Sequence, residues 1–300
     1  MVHPKVSIII VNWNGFDDTA ECLESLQKIT YKNYDVIVVD NASEGNDVQM
    51  LEEKFGNYID VLRNNVNYGF GGGCNSGIRY VLTKCNPKPK YILIMNNDIV
   101  VDPLFLDELI KVVESDERIG IVGPKIYRYS YKGRNDVISS AGGRIRAWLP
   151  ELPHSIGGLK IDSPKYQKMK SVDWISGATM LFRTCIIEEV GLFNTWYFHG
   201  LEDVEFCLNV RKRGFNIVYV PKSELWHKVS VSLKKTNLTY ADPIAYYYFA
   251  RRNYPLFVYL YHLFMLPIFI FQWGLTYLFR TKDKKGLSRF LSNIRRYFVI

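Results

Sequence analysis

An α/β fold with a mostly parallel central sheet flanked by helices is what this 300-residue chain predicts. Three observations point there. The first 125 residues alternate apolar runs with helix-like segments, and the runs are continuously apolar rather than alternating, as in strands covered on both faces. A third observation concerns position: four successive runs each end in Asn, Asp or Gly, where open α/β sheets bind ligands.

The strands are expected at Val6–Val11, Tyr34–Asp40, Ile59–Arg63, Tyr91–Met95 and Gly120–Lys125. The intervening helices are expected at Asp17–Lys28, Val48–Phe55, Gly73–Lys84 and Pro103–Glu114, the last opened by a proline suited to a first turn. Residues 128–172 lose this rhythm and read as a loop-rich insertion near a site. Regularity returns with a strand in "WISGATMLFR" (174–183) and a helix in "LEDVEFCLNVRKRGF" (201–215) stopped by Gly214. A short strand, "NIVYVP" (216–221), follows.

Composition narrows the function classes. Apolar residues make up 48% of the chain and charged residues 23%, an ordinary globular balance. The net charge is +8, of which residues 280–300 carry +6, so the basic character belongs to a tail. Five scattered cysteines without a C-x-x-C argue against a zinc site or disulfide framework and fit a reducing compartment. The start, "MVHPKVSIII", enters a strand directly and lacks the pattern of a signal peptide.

The polar strand ends supply the candidate site. They are Asn12 with Asn14 and Gly15, Asp40 with Asn41, Asn64-Asn65 leading to "NYGFGGGCNSG", and Asn96-Asn97-Asp98. Asp40 can accept from a base imide or a ribose hydroxyl. The glycines from Gly69 to Gly73 would let backbone approach a ligand ahead of a helix N-terminus, although a plain loop-to-helix turn accounts for them equally. No Walker lysine follows. Asp98 offers the hard oxygen that divalent cations prefer, shared with substrate phosphates.

In order and spacing, "VSIIIVNWNG", "VIVVDNAS", "NYGFGGGCNSG", "IMNNDIVVDP", "SGATMLFR" and "HGLEDVEFCLNVRKRGF" resemble glycosyltransferase family 2, most of all its rhamnosyltransferase-like branch. The resemblance covers residues 4–230. It implies the GT-A (nucleotide-diphospho-sugar transferase) fold, a nucleotide-diphosphate sugar as donor, Mg²⁺ or Mn²⁺, and inversion at the anomeric carbon. Asp40 resembles the residue that reads the base. Asn96-Asn97-Asp98 takes the Asp-x-Asp place, with Asp98 as the metal ligand and an amide at Asn96 that adds no charge. His227 resembles a histidine that approaches the metal or diphosphate. Asn12, Asn67, Gly69, Gly72, Asn75, Asn96 and Asn97 complete the expected donor-binding set. Glu202-Asp203 matches the acceptor-activating motif, with Asp203 favoured as base. Adjacent helix residues point about 100° apart, so both cannot easily serve one atom. Trp174 and Trp196 remain open as sugar platforms.

Residues 256–279 contain no Asp, Glu, Lys or Arg, and as a helix of ~36 Å would be long enough to span a bilayer. Pro267 sits at the centre, and Leu287, Phe290, Leu291, Ile294 and Phe298 then recur at helical spacing among basic residues. A single crossing would put the basic tail opposite a cytoplasmic body, against the positive-inside tendency. The expectation is a re-entrant or in-plane helix pair broken near Pro267, on the cytoplasmic face of the membrane. The domains then read as a GT-A catalytic part (1–230), a connector (231–253) and a membrane-associating region (254–300). The expected partners are a nucleotide-sugar donor, a saccharide or lipid-linked saccharide acceptor and the membrane surface. Nucleic acid is not expected, and an oligomer is compatible. The competing readings are a polyprenyl-phosphate glycosyltransferase and an inactive transferase scaffold that binds glycan or membrane.

Overall fold

The computed structural model describes residues 3–147, 153–229 and 243–275. The expected amphipathic segment at 287–298 and residues 231–242 of the connector lie outside these. The chain divides into two compact units, one of Met1–Arg144 with His154–Ser232, the other of Ile145–Pro153 with Leu233–Ile300.

The first unit is built on strands β1 (Val6–Asn12), β2 (Tyr34–Asp40), β3 (Asp60–Arg63) and β4 (Tyr91–Asn96), parallel and ordered β4-β1-β2-β3. β1 is central, and its Ile8, Ile9 and Ile10 are fully buried, so both of its faces are covered. Helices α1 (Phe16–Leu26), α2 (Asp47–Phe55) and α3 (Gly69–Lys84) connect these strands. Next come β5 (Ile99–Val101), α4 (Phe105–Val113) and β6 (Ile119–Arg128). On α4, Phe105, Leu106, Leu109, Ile110 and Val113 are buried at helical spacing.

Beyond β4 the sheet is mixed, which corrects the expectation of a mostly parallel one. The insertion contributes short strands β7 (Val137–Ser140), β8 (Gly143–Arg144), β9 (His154–Ser155), β10 (Lys160–Ile161) and β11 (Lys170–Ser171). Strand β12 (Thr179–Arg183) lies between β4 and β6, antiparallel to both. A continuously apolar strand buried on both faces carries no mark of its direction, so sequence could not report this. After α5 (Ile186–Val190) and α6 (Glu202–Lys212), β13 (Asn216–His227) runs parallel to β6 and is twice the predicted length. Its register slips between Val220 and Glu224, next to Pro221, which has no N–H for the ladder. Gly214 stops α6 as predicted, at φ +90°.

A fully buried lysine pins the insertion to this sheet. Lys125 Nζ on β6 reaches Asp162 Oδ2 (3.0 Å), Gln167 Oε1 (3.1 Å), Glu224 Oε1 (2.9 Å) and the Tyr127 hydroxyl (3.1 Å). Its charge is compensated by two carboxylates, as a buried ammonium requires.

In the second unit, α7 (Pro243–Asn253) and α8 (Leu256–Leu275) lie within the described residues. α8 continues through Pro267, so the expected break there is absent. Among the described residues no helix is long and apolar enough to cross a membrane. His262 of α8 is buried, and its Nε2 meets the carbonyl of Ala147 at 2.8 Å. A carbonyl only accepts, so Nε2 carries the proton and Nδ1 accepts from the Tyr246 hydroxyl at 2.9 Å.

α3 sits close to the sheet because it is rich in glycine. A Cβ on Gly77 would lie 2.5 Å from Ile9 Cγ2 and 3.1 Å from Val39 Cγ2, both on stiff β-branched side chains. Gly77→Ala therefore loses stability, by about 1–3 kcal/mol of overpacking, set against ~1 kcal/mol of gained helix propensity. A fall in Tm is the expected readout; a rise would show that α3 is not packed this tightly.

Candidate active site

The ends of β2, β1 and β4 are level: Asn12 pairs with Asp40, and Val11 with Asn96. β12 runs the other way, so its start meets the end of β4, and Asn96 N–H donates to the Ala178 carbonyl at 2.9 Å. With adjacent strands ~4.8 Å apart, Asp40, the Asn96–Asp98 turn and the Ser176–Ala178 turn share one rim about 14 Å long.

Asn12 is the hub of that rim. Its Nδ2 lies 3.0 Å from Asp40 Oδ1 and 3.0 Å from Asp47 Oδ2, and its Oδ1 accepts from the Thr19 hydroxyl at 2.8 Å. Asp40 is fully buried, and its other oxygen accepts from Ser43 N–H. Asn97 is also turned inward, with Nδ2 on the Thr19 hydroxyl at 2.9 Å. Asp47 and Ser43, which also hold the Gly15 and Asn14 amides, were not singled out from sequence. A helix-start aspartate and a turn serine carry no local mark of such a role.

Asn41, the polar residue after Asp40 at the end of β2, joins β2 to the start of α3. Its Nδ2 donates to Asn67 Oδ1 (2.9 Å) and to the Gly69 carbonyl (3.0 Å), and its Oδ1 accepts from Asn64 Nδ2 (3.0 Å). α3 begins at Gly69, not Gly73, so the glycines lie within the helix. The space they leave is filled by protein. A Cβ at Gly69 would meet the Phe198 carbonyl at 2.2 Å, and one at Gly72 would meet Tyr68 Cβ at 2.5 Å. Phe70 N–H already donates to Phe198 O. Asn75 likewise clasps the backbone of Phe193 with both amide atoms (2.8 and 2.9 Å). The close approach expected for a ligand is made by the 193–198 loop at Gly69 and Asn75, and by Tyr68 at Gly72.

At the end of β4 the picture is different. Asp98 is 5% exposed, and its Oδ1 lies 3.0 Å from His227 Nε2 on β13. Burial works against the Asp98 charge. The facing imidazole, by charge and hydrogen bond, outweighs it and holds this carboxyl below the usual aspartate range. Asn96 Nδ2 lies 3.3 Å from the same Nε2. An Nε2–H that donates to Asp98 would face another donor there. With the Asn96 amide turned over, its oxygen, Asp98 Oδ1 and His227 Nε2 would bring three lone-pair donors together. That donor set suits Mn²⁺ or Mg²⁺, and diphosphate oxygens and water would fill the remaining positions. Among the described residues no group of three or more His, Cys, Asp or Glu side chains forms a metal site. Lys228, next in sequence, fastens this strand end to α1 through Asp18 and Glu21, both at 2.6 Å.

Glu202 and Asp203 open α6 and diverge. Asp203 is half-buried; its Oδ2 accepts from Gly177 N–H at 2.7 Å and its Oδ1 from Val204 N–H at 2.8 Å. Glu202 is 3% exposed, packs on Gly71 of α3, and leaves Oε2 without a partner. Burial, and then the charge of Asp203, push the Glu202 carboxyl well above the usual range. Burial also raises Asp203, against the backbone amides that favour its charge. The pair thus has unlike environments: an acid prone to keep its proton beside a carboxylate supported by two N–H groups. Trp174 is buried against Gly143, which makes it a core residue, whereas Trp196 is exposed.

A carboxylate, an imidazole–carboxylate pair and a polar rim on adjacent strand ends can bind an anionic ligand and accept a proton. Comparisons with known proteins agree with this. Residues 7–173 match the family described as Glycosyl transferase family 2, and residues 91–280 match Glycosyl transferase family group 2. Rhamnosyltransferase WbbL of Escherichia coli is 30% identical over 74% of this chain and 83% of its own length. Low-salt glycan biosynthesis hexosyltransferase Agl10 of Haloferax volcanii is 28% identical over 71% of this chain, which spans 63% of that protein. The N-acetylglucosaminyl-diphospho-decaprenol L-rhamnosyltransferase of Mycobacterium tuberculosis is 24% identical over 80% of this chain and 79% of its own. Among solved structures, GalNAc-T7 with UDP, GalNAc and Mn²⁺ superposes with a TM-score of 0.62 at 17% identity, over 75% of this chain and 44% of that one. TarS of Staphylococcus aureus (residues 1–349) gives 0.52 at 16% identity, over 74% and 60%. That likeness shows the GT-A-like α/β fold, and the family match, which covers more than half of the sequence, shows that this chain is a member of glycosyl transferase family 2.

Proposed function

We propose that this glycosyltransferase moves a sugar, with inversion, from a nucleotide-diphosphate donor to a hydroxyl of a lipid-linked saccharide, with Mg²⁺ or Mn²⁺ bound. One observation carries the reading: Asp203, supported by backbone N–H groups, shares a strand-end rim with the Asp98–His227 pair. The acceptor class is supported by the tuberculosis relative, whose name specifies a decaprenol-linked diphosphate substrate. The five cysteines are all free, which fits the cytoplasmic side of a membrane.

In this reading Asp40, with Asn12 behind it, shapes the rim where the base and ribose lie. Asn41 and Asn67 hold the loop beside it. Gly69, Gly72, Asn75 and Asn97 position the surrounding chain. Asp98 and His227, with the Asn96 amide, would hold the cation, which would supply charge to offset that developing on the leaving diphosphate. Asp203 Oδ accepts the acceptor's hydroxyl proton as its oxygen attacks the anomeric carbon opposite the leaving group. The C–O bond to the diphosphate breaks as the new one forms, so a single base suffices. Burial disposes Glu202 to keep its proton, so Asp203, with two backbone N–H groups on its oxygens, is the better supported anion of the motif.

The two carboxyls are separable by substitution. Asp203→Asn is expected to keep donor binding and lose transfer by ~10²-fold or more, within the range for general bases. Glu202→Gln is nearly isosteric with a protonated acid and is expected to retain most of the transfer rate. Equal losses in the two variants would remove this division of roles.

The pH profile follows from the raised Asp203 carboxyl. A base with an elevated pKa is still protonated at pH values where an ordinary aspartate is ionised. The rise of kcat/KM with pH is therefore expected to be centred above the ordinary aspartate value, and a limb centred near 3.8 would contradict it.

Asp98→Ala is expected to abolish Mn²⁺ binding in the presence of nucleoside diphosphate, measured by calorimetry, together with metal-stimulated turnover. Unchanged Mn²⁺ affinity would take the metal role from Asp98.

A further inference from the structure

Helix α8 carries a surface that the transfer chemistry does not use. Phe257, Leu260, Tyr261, Phe264, Ile268 and Phe271 are all exposed, Phe264 to 79% and Phe271 to 66%. At about 100° per residue they fall within an arc of about 100° and extend for ~21 Å along the helix. Val258 and His262 lie on the far side of that wheel, and both are buried. The helix is therefore two-sided: one face packs on protein and the other is apolar and exposed.

We infer that α8 lies flat in the headgroup region of an anionic bilayer, with the face from Phe257 to Phe271 as its lipid-docking surface. The inference deepens the membrane-surface part of the proposed function and rests on it. Charge identifies the occupant. From Pro243 to Ile300 the chain has nine Lys and Arg against one acidic residue, Asp283, and seven of the nine lie within 280–300. Arg251 and Arg252 are exposed in the last turn of α7, just before α8. Anionic headgroups complement that charge. A second copy of the chain would set the same basic residues against one another. Tyr261 stands at one edge of the arc, where a ring with a polar tip suits the water–lipid boundary.

The far face argues for lying in the plane rather than crossing it. His262 is bonded there to the Tyr246 hydroxyl and the Ala147 carbonyl, so protein, not lipid, covers that side of α8. The same contact ties residues 145–147, part of the insertion, to the back of the docking helix. The lipid surface and that loop are thereby coupled through one buried imidazole.

The test uses the full chain and vesicles of phosphatidylcholine with and without phosphatidylglycerol. Sedimentation is expected with the anionic vesicles and to weaken in high salt. The triple variant Phe257→Ser, Phe264→Ser, Phe271→Ser is expected to lose at least ~10-fold in vesicle partitioning. Its release of nucleoside diphosphate from a nucleotide sugar is expected to stay unchanged, which separates this proposal from the catalytic one. As a second probe, Phe264→Trp should gain fluorescence quenched by brominated lipid. Equal partitioning of the triple variant, or no quenching, would overturn the proposal. So would a stable dimer that ignores vesicles and dissociates in the triple variant.

Discussion

The pairing of β12 against β4 decides where chemistry can occur. Because β12 runs antiparallel, it begins where β4 ends, and the Ser176–Ala178 turn stands beside Asn96. Gly177 thereby presents its N–H to Asp203 from the neighbouring helix, at the rim that also carries Asp98. Had β12 been parallel, that turn would lie at the opposite edge of the sheet and α6 would deliver its carboxylates elsewhere.

The buried acids of this rim follow one rule applied three ways. A buried charge needs an opposite charge or several hydrogen bonds, and otherwise gives up its ionisation. Asp98 has an imidazole, Asp203 has two backbone N–H groups, and Glu202 has an oxygen with no partner. The roles proposed for them, metal holding, proton acceptance and neutrality, follow from these three settings. Lys125 shows the same rule with the sign reversed, since two carboxylates compensate its charge and the insertion is anchored as a result.

Much of the architecture is legible along the chain because it rests on local properties. The apolar runs of β1, β2 and β4, the proline before α4 and the stop at Gly214 are each encoded by the residues concerned. Asp98 was visible too, since a polar side chain directly after a buried strand is a one-dimensional signal, whereas Asp203 and His227 were visible only through the motifs that resemble the family. Asp47 and Lys228 gave no such signal, and Asn41, though it follows β2 directly, gave no hint of its partners; these partners lie 23 to 210 residues away in sequence, and only folding brings them together. The glycine run misled for a related reason. Sequence says that a backbone approach is allowed at Gly69 and Gly72, but not whether a ligand or the chain's own Phe198 and Tyr68 make it.

The sequence by itself determined the main strands and helices of the first 125 residues, their α/β order, the polar rim and the apolar, acid-free stretch near the end, because each depends on composition and spacing over a few residues. Tertiary structure alone decided the direction of β12, the separate fates of Glu202 and Asp203, the inward turn of Asn75 and Asn97, and the sidedness of α8. These depend on burial and on which backbone groups arrive opposite, quantities that exist only once distant segments have packed.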